Sequence, residues 1–115
     1  TMEPMNCTVH VRKGECEIWI GSQAVARVQL MAATAAGLPA EKVIVHNHLI
    51  GGGFGRRLEA DAAVRAVQIA KHVDGPVKVV WTREEDIQHD MYRPYWFDRI
   101  SAGLNEMGRP VAWNN

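Results

Sequence analysis

The stretch "KVIVHNHLIGGGFGRRLEADAAVRAVQIAKHVDG", residues 42–75, constrains this chain more than any other. A short β-branched run meets three glycines, Phe54, a fourth glycine and two arginines, and a well-patterned helix follows. A strand, a glycine-rich turn and a helix together present several backbone N–H groups at the positive end of the helix, a geometry that receives phosphate or another oxyanion. The common nucleotide patterns fail here. A dinucleotide fingerprint read from Gly51 needs glycine where Arg56 stands, and a phosphate-binding P-loop needs Gly-Lys-Ser/Thr at Arg56, Arg57 and Leu58. The bland alternative is a tight turn that lets strand and helix pack closely. Phe54 between glycines weighs against it, because a plain turn has no use for an aromatic ring.

The rest of the chain supplies a frame for that loop. "CTVHVRKGECEIWI" alternates with period two around Lys13-Gly14, predicting a hairpin that pairs Arg12 with Glu15. That register sets Cys7, Val9, Val11, Cys16, Ile18 and Ile20 on one face, and Thr8, His10, Arg12, Glu15, Glu17 and Trp19 on the other. "SQAVARVQLMAATAAG" reads as a helix with Ser22 as N-cap, Gly37 as C-terminal stop and an inner stripe of Val25, Val28, Ala32 and Ala35. "KVIVHNHLI" reads as a mostly buried strand. In the next helix Leu58, Ala62, Ile69 and Val73 share an inner face with Ala66, leaving Arg57, Asp61 and Arg65 as an outer charge ladder. "VKVVWT" predicts a strand, "REEDIQHD" a short helix after Thr82 with a solvated acidic face, and "YWFDRISAGLNEMGRPVAW" a last hairpin across Asn105 and Gly108. The expectation is an α+β, two-layer β-β-α-β-α-β fold, its mixed sheet covered on one face by helices, plus a C-terminal hairpin.

Composition narrows the function classes. A net charge of zero and a charged fraction of 23% over 115 residues provide no electrostatic grip on nucleic acid or anionic lipid. No apolar run approaches the roughly 20 residues of a transmembrane helix, so no such segment is expected. The predicted register puts Cys7 and Cys16 too far apart to bridge, and both read as small buried apolar side chains. His46 and His48 fall on one side of a strand but bring no further ligands, so hydrogen-bonded or surface histidines are expected rather than a metal site. The tryptophans Trp19, Trp81, Trp96 and Trp113 read as packing. The chain enters a strand at once and stops within another, so the expectation is a single domain over 1–115 cut from a larger subunit.

"GGGFGRRLE", with "MEPMNCTV" before it and "PVKVVWTREEDI" after it, resembles the molybdenum-cofactor-binding subunit of the xanthine dehydrogenase and aldehyde oxidase family. The bacterial branch containing isoquinoline 1-oxidoreductase and membrane-associated aldehyde dehydrogenases is the nearest in pattern, and the resemblance runs through essentially the whole chain. It implies a molybdenum held by pterin sulfurs and inorganic ligands, with no protein side chain on the metal, so that the protein acts by positioning. By resemblance Gln23 in "GSQA" falls on a glutamine that hydrogen-bonds an oxygen of the molybdenum centre. Gly52, Gly53, Phe54 and Gly55 fall on the stretch whose backbone lies against the cofactor, and Arg56 is the candidate for its phosphates. The cofactor is then molybdopterin, plain or as the cytosine dinucleotide, with iron–sulfur clusters in a partner subunit. The implied reaction is hydroxylation of an aldehyde or electron-poor N-heteroaromatic carbon with oxygen from water. The general-base glutamate of the family lies far downstream and nothing in this chain matches it, so no catalytic residue is expected here and the chain alone should be inactive. Xanthine-oxidising members carry a glutamate four positions after the loop phenylalanine; Leu58 stands there, with Glu59 one place later, which speaks against purine recognition. The rival reading is a small α+β module that binds a phosphate-bearing ligand or a protein partner.

Overall fold

The computed structural model describes residues 1–115. Strands β1 (Asn6–Arg12) and β2 (Glu15–Ile20) form the predicted hairpin, with Arg12 opposite Glu15, His10 opposite Glu17 and Val11 opposite Cys16. Gly14 turns it at φ 83°, a conformation that a side chain would strain. Helix α1 (Val25–Ala36) returns the chain so that β3 (Val43–Asn47) lies parallel to β2, with Ile18 beside Val45 and Ile20 beside Asn47. Helix α2 (Asp61–Ala70) leads to β4 (Val77–Val80), antiparallel to β1. The sheet order is β3-β2-β1-β4. Helix α1 packs toward β3 and α2 toward β1 and β4, giving the expected mixed sheet with helices over one face. A short helix α3 (Arg83–Gln88) follows, and β5 (Ser101–Leu104) and β6 (Pro110–Asn114) make the C-terminal hairpin.

Alternation explains which side faces the helices. Cys7, Val9, Cys16, Ile18 and Ile20 are buried, while Thr8, His10, Glu17 and Trp19 stay half-exposed on the opposite face. The helices meet each other and the sheet through small residues: Val28, Ala32 and Ala33 from α1, and Ala62, Ala63, Ala66, Val67 and Ala70 from α2. Gly37 ends α1 in the left-handed conformation at φ 72°, and its N–H donates to the Thr34 carbonyl, as the sequence predicts. Thr82 caps α3 by accepting the Glu85 N–H at 3.2 Å.

Both cysteines are free and buried. Burial pushes the Cys7 thiol up to about 12, with the neighbouring Cys16 adding to the effect, and burial alone pushes Cys16 to about 11. A disulfide-exchange chromophore such as Ellman's reagent is therefore expected to leave the native chain untouched at pH 8. It should then titrate both thiols once denaturant is added; rapid labelling without denaturant would contradict this core.

Several expectations are corrected. Helix α1 begins at Val25 with Ala24 as N-cap and no side-chain cap; Ser22 instead accepts the Ala24 N–H at 3.0 Å and donates to the Arg57 carbonyl at 3.1 Å. Strand β3 is an edge strand in which only Val43 is buried, and Ile44 points to the uncovered face. The inner face of α2 is not Leu58, Ile69 and Val73, all exposed, but the alanine and Val67 set given above. The cause is a single 3₁₀ turn at Arg56–Leu58, followed by an extended Glu59. Three residues per turn replace 3.6 there, so the helical phase carried back from α2 fails before Asp61. The same turn buries Arg57, which the helical ladder had placed outside, and gives Asp61 to Arg56. Helix α3 is not wholly solvated, since Asp86 is buried and accepts the Met5 N–H at 3.2 Å. Trp81 packs on the core as expected, but Trp96 and Trp113 are exposed.

Those two tryptophans belong to a projecting arm. Residues 91–115 are exposed almost throughout, including Tyr92, Tyr95, Trp96, Phe97, Val111 and Trp113. The molecule extends 72 × 33 × 22 Å, and its radius of gyration is 20.2 Å, where a compact chain of this length would have about 13 Å.

Candidate functional site

Because β2 and β3 run parallel as neighbours, their carboxyl ends stop side by side, the place where open sheets receive ligands. The ladder extends one step further: the His48 N–H donates to the Ile20 carbonyl at 3.0 Å, and the Ser22 N–H donates to Asn47 Oδ1 at 2.8 Å. The turn Gly21–Gln23 and the glycine loop 51–55 therefore emerge together, although some 30 residues separate them in sequence.

The loop is built on backbone that side chains resist. Gly52 sits at φ 99° and Gly55 at φ 87°, and Phe54 takes φ 48°, the one non-glycine residue with positive φ in the chain. An aromatic residue held in the left-handed region needs outside support, and Arg93 supplies it by donating to the Phe54 carbonyl at 2.5 Å. A Cβ on Gly52 would stand 2.8 Å from Phe54 Cε2, and one on Gly53 would stand 2.2 Å from Gln23 Oε1. The Gln23 side chain thus lies flat on Gly53, and its Oε1 accepts the Gly55 N–H at 3.2 Å. All six sequence-predicted residues are brought into one neighbourhood, with different roles. Gly53, Phe54, Gly55 and Arg56 face a cleft, while Gln23 supports the loop from beside Gly53.

Arg56 is held by two carboxylates. Its guanidinium donates to both Asp61 carboxylate oxygens, at 2.8 and 2.9 Å, and through Nε to Asp90. The Asp61 hydrogen bonds hold Arg56 protonated well beyond its ordinary range, overriding burial. Burial acts most strongly on Asp61 and works to raise its carboxyl, but the Arg56 hydrogen bonds together with the charges of Arg56 and Arg65 outweigh it and hold it below its ordinary value. At the other end of the loop Glu3 accepts the Gly51 N–H at 3.0 Å. That bond first, then Asn6 and Arg57, holds Glu3 below the usual 4.5. A carboxyl with a depressed folded pKa binds its proton less readily in the folded chain than in the unfolded one. Its stabilisation is complete above the unfolded value and disappears as pH falls through the folded one. The Gly51 amide resonance is therefore expected to titrate with a midpoint below 4.5; a midpoint at or above it would mean Glu3 does not hold the loop.

The cleft has a volume of about 740 Å³, in the range of small-ligand pockets. Glycine-loop residues and Leu58 form one wall, and Asp90, Met91, Tyr92, Arg93 and Trp96 form the other. Sequence reading missed this second wall; its signal is the aromatic density of "MYRPYW", residues 91–96. His46, weighed as a metal ligand, is 2.8 Å from Glu17 through Nε2 and stacks on Trp19 with centroids 5.1 Å apart, away from the loop.

Fold and loop define a two-layer α+β domain that sets a glycine loop, packed by Gln23 and Phe54, at the carboxyl ends of a parallel strand pair. The sequence profile of the molybdopterin cofactor-binding domain family matches residues 1–114, and the chain belongs to that family. It is 37% identical over 111 residues to isoquinoline 1-oxidoreductase subunit beta of Brevundimonas diminuta, covering 96% of this chain. It is 34% identical over 112 residues to the membrane-bound aldehyde dehydrogenase [pyrroloquinoline-quinone] of Gluconacetobacter polyoxogenes, again with 96% coverage. The chain spans 14% of the length of each of these relatives. Among solved structures, CO dehydrogenase from Oligotropha carboxidovorans superposes on 75% of this chain and 11% of its own with a TM-score of 0.66 at 31% identity.

Proposed function

We propose that this chain is the loop-bearing segment of the large subunit of a molybdenum hydroxylase, an oxidoreductase acting on aldehydes or N-heteroaromatic carbons with oxygen derived from water. The observation that carries the reading is the cradle at Gly53, where a single methyl group would collide with Gln23. A loop cleared of Cβ atoms beside an aromatic cleft suits a flat, bulky prosthetic group, and family membership names that group as molybdopterin. When bound, the molybdenum centre supplies the two-electron oxidation chemistry.

This chain's residues bind and orient. Gly52, Gly53 and Gly55 would let main chain lie against the pterin, and Gln23, whose Oε1 is taken by the Gly55 N–H, would offer its Nε2 to an oxygen of the centre. Phe54, 73% exposed, walls the substrate side with an apolar ring that excludes water. Arg56, tied to Asp61 and Asp90, braces the loop against the segment at 90–96 rather than reaching outward. Leu58 in place of an acidic side chain favours apolar or weakly basic substrates over purines.

The same engagement of Arg56 counts against a phosphate-binding module. Arg56 is already neutralised by Asp61 and Asp90, and Asp61 occupies the first turn of α2 at its positive end. The cofactor's form, plain or cytosine dinucleotide, and an iron–sulfur partner subunit that removes electrons belong to the proposal. So does the remainder of the large subunit, against which the apolar arm 91–115 would pack. An isolated two-stranded hairpin is only marginally stable in water. Hydrogen exchange is accordingly expected to find β5–β6 unprotected in the isolated chain and protected in the intact parent.

The isolated chain, in which nothing matches the family's general-base glutamate, is expected to have no oxidase activity. The decisive experiment assays the intact parent for molybdenum and for oxidation of an aldehyde or N-heterocycle in ¹⁸O-labelled water with an electron acceptor. Stoichiometric molybdenum and labelled product support the reading, and an active, metal-free parent overturns it.

A further inference from the structure

We propose that Arg57 is a positioning residue, one that fixes the Gln23 amide beneath the glycine loop from a buried site. The assignment rests on the cofactor-loop reading above. Arg57 is 1% exposed, the largest fully buried side chain in the molecule. Its guanidinium donates to the Glu3 carbonyl at 3.1 Å and the Gly21 carbonyl at 3.4 Å, and lies 3.6 Å from Glu3 Oε1. Its own carbonyl accepts the Gln23 N–H at 2.9 Å and the Ser22 hydroxyl at 3.1 Å. Through Glu3, whose other oxygen accepts the Gly51 N–H, the first glycine of the loop joins the same network. The side chain thus joins the N-terminal segment to Gly21, the main-chain carbonyl of the same residue holds Ser22 and Gln23, and through Glu3 and Gln23 the network reaches both ends of the loop.

Stability alone does not account for this residue. Its Nε is buried without a partner, and a buried charge with an unmet donor costs more than an apolar side chain of similar volume. What the guanidinium provides is direction. A planar fork bonded to two segments at once sets their angle in a way that a flexible ammonium cannot. Because Gln23 Oε1 reaches Gly55 only when residues 21–23 and 53–55 keep that angle, displacing Arg57 releases the amide without touching it.

The test uses the 115-residue chain, with Arg57→Met and Glu3→Ala, followed by amide hydrogen exchange. In Arg57→Met the amides of Gln23, Gly51 and Gly55 are expected to exchange roughly tenfold faster, while Val9 and Ile18 in the central strands stay unchanged. Arg57→Lys should recover only part of that protection. A general structural role would instead accelerate Val9 and Ile18 along with the loop, and that result overturns the proposal, as does an unchanged loop. If Arg57→Met does not fold, Glu3→Ala decides: acceleration that reaches Gln23 and Gly55, beyond the Gly51 amide that loses its own acceptor, supports the clamp, and acceleration confined to Gly51 overturns it. Molybdenum content of the intact parent carrying Glu3→Ala separates the two readings. Loosened amides with undiminished molybdenum uphold the clamp and count against the cofactor role of Gln23; unchanged amides overturn the clamp whatever the metal content.

Discussion

Replacing Gly53 by alanine is expected to leave the domain folded and to strip molybdenum cofactor from the intact parent. Gly53 does not have a positive φ, so its backbone accepts alanine without strain. The new methyl group would stand 2.2 Å from Gln23 Oε1 and 2.5 Å from its Cδ, and a flexible side chain on the surface can swing away from it. The folding cost is therefore small, on the order of the one lost hydrogen bond to Gly55, about 1 kcal/mol. On the proposed reading the functional cost is large, because a displaced amide would no longer meet the cofactor. Loss of a positioning contact around a metal centre typically lowers affinity or activity ~10–100-fold. Metal analysis of the purified variant parent, alongside its melting temperature, measures both sides. Full molybdenum occupancy would remove the central support for the proposed site. Gly52→Ala makes the useful contrast, since φ 99° is closed to alanine and the loop backbone itself must then rearrange.

The second large effect is on stability. Ile18 is fully buried at the centre of β2, between Val9 and Val45, and Ile18→Ala is expected to cost about 2–5 kcal/mol. Seven of the sixteen core residues are alanine, so the few branched side chains supply most of the apolar area. Against the ~5–15 kcal/mol that holds an ordinary domain together, such a loss removes a large share of the stability. Urea titration of the isolated chain reads it directly, and a change under ~1 kcal/mol would mean the core is not where the structure puts it.

Local rules carried far in this sequence, and they failed where local geometry changed. The hairpin register around Lys13-Gly14 was legible because period-two patterning and turn chemistry agree there. Gly37 and Thr82 were legible as caps for the same reason, and the family was legible from the loop and its flanks. Arg57 was placed outside because helical periodicity cannot register a 3₁₀ turn, and one residue of phase sends it inside and leaves Arg56 at the rim. Ser22 was read as a cap because its type fits one, but long-range bonding to Arg57 claims its hydroxyl. The exposure of β3 and of the aromatic arm depends on which elements cover which face. That information is tertiary, and no spacing rule contains it.

The parallel pairing of β2 and β3 has a consequence for anyone altering this protein at a distance. The ladder from Cys16 and Val43 to Ile20 and Asn47 works as a ruler that sets how far the two loops protrude relative to each other. A slip of two residues would slide one past the other by roughly 7 Å while keeping every side chain on its original face. Substitutions at the far, seemingly inert end of that ruler can therefore detune the loops without altering a single residue near them.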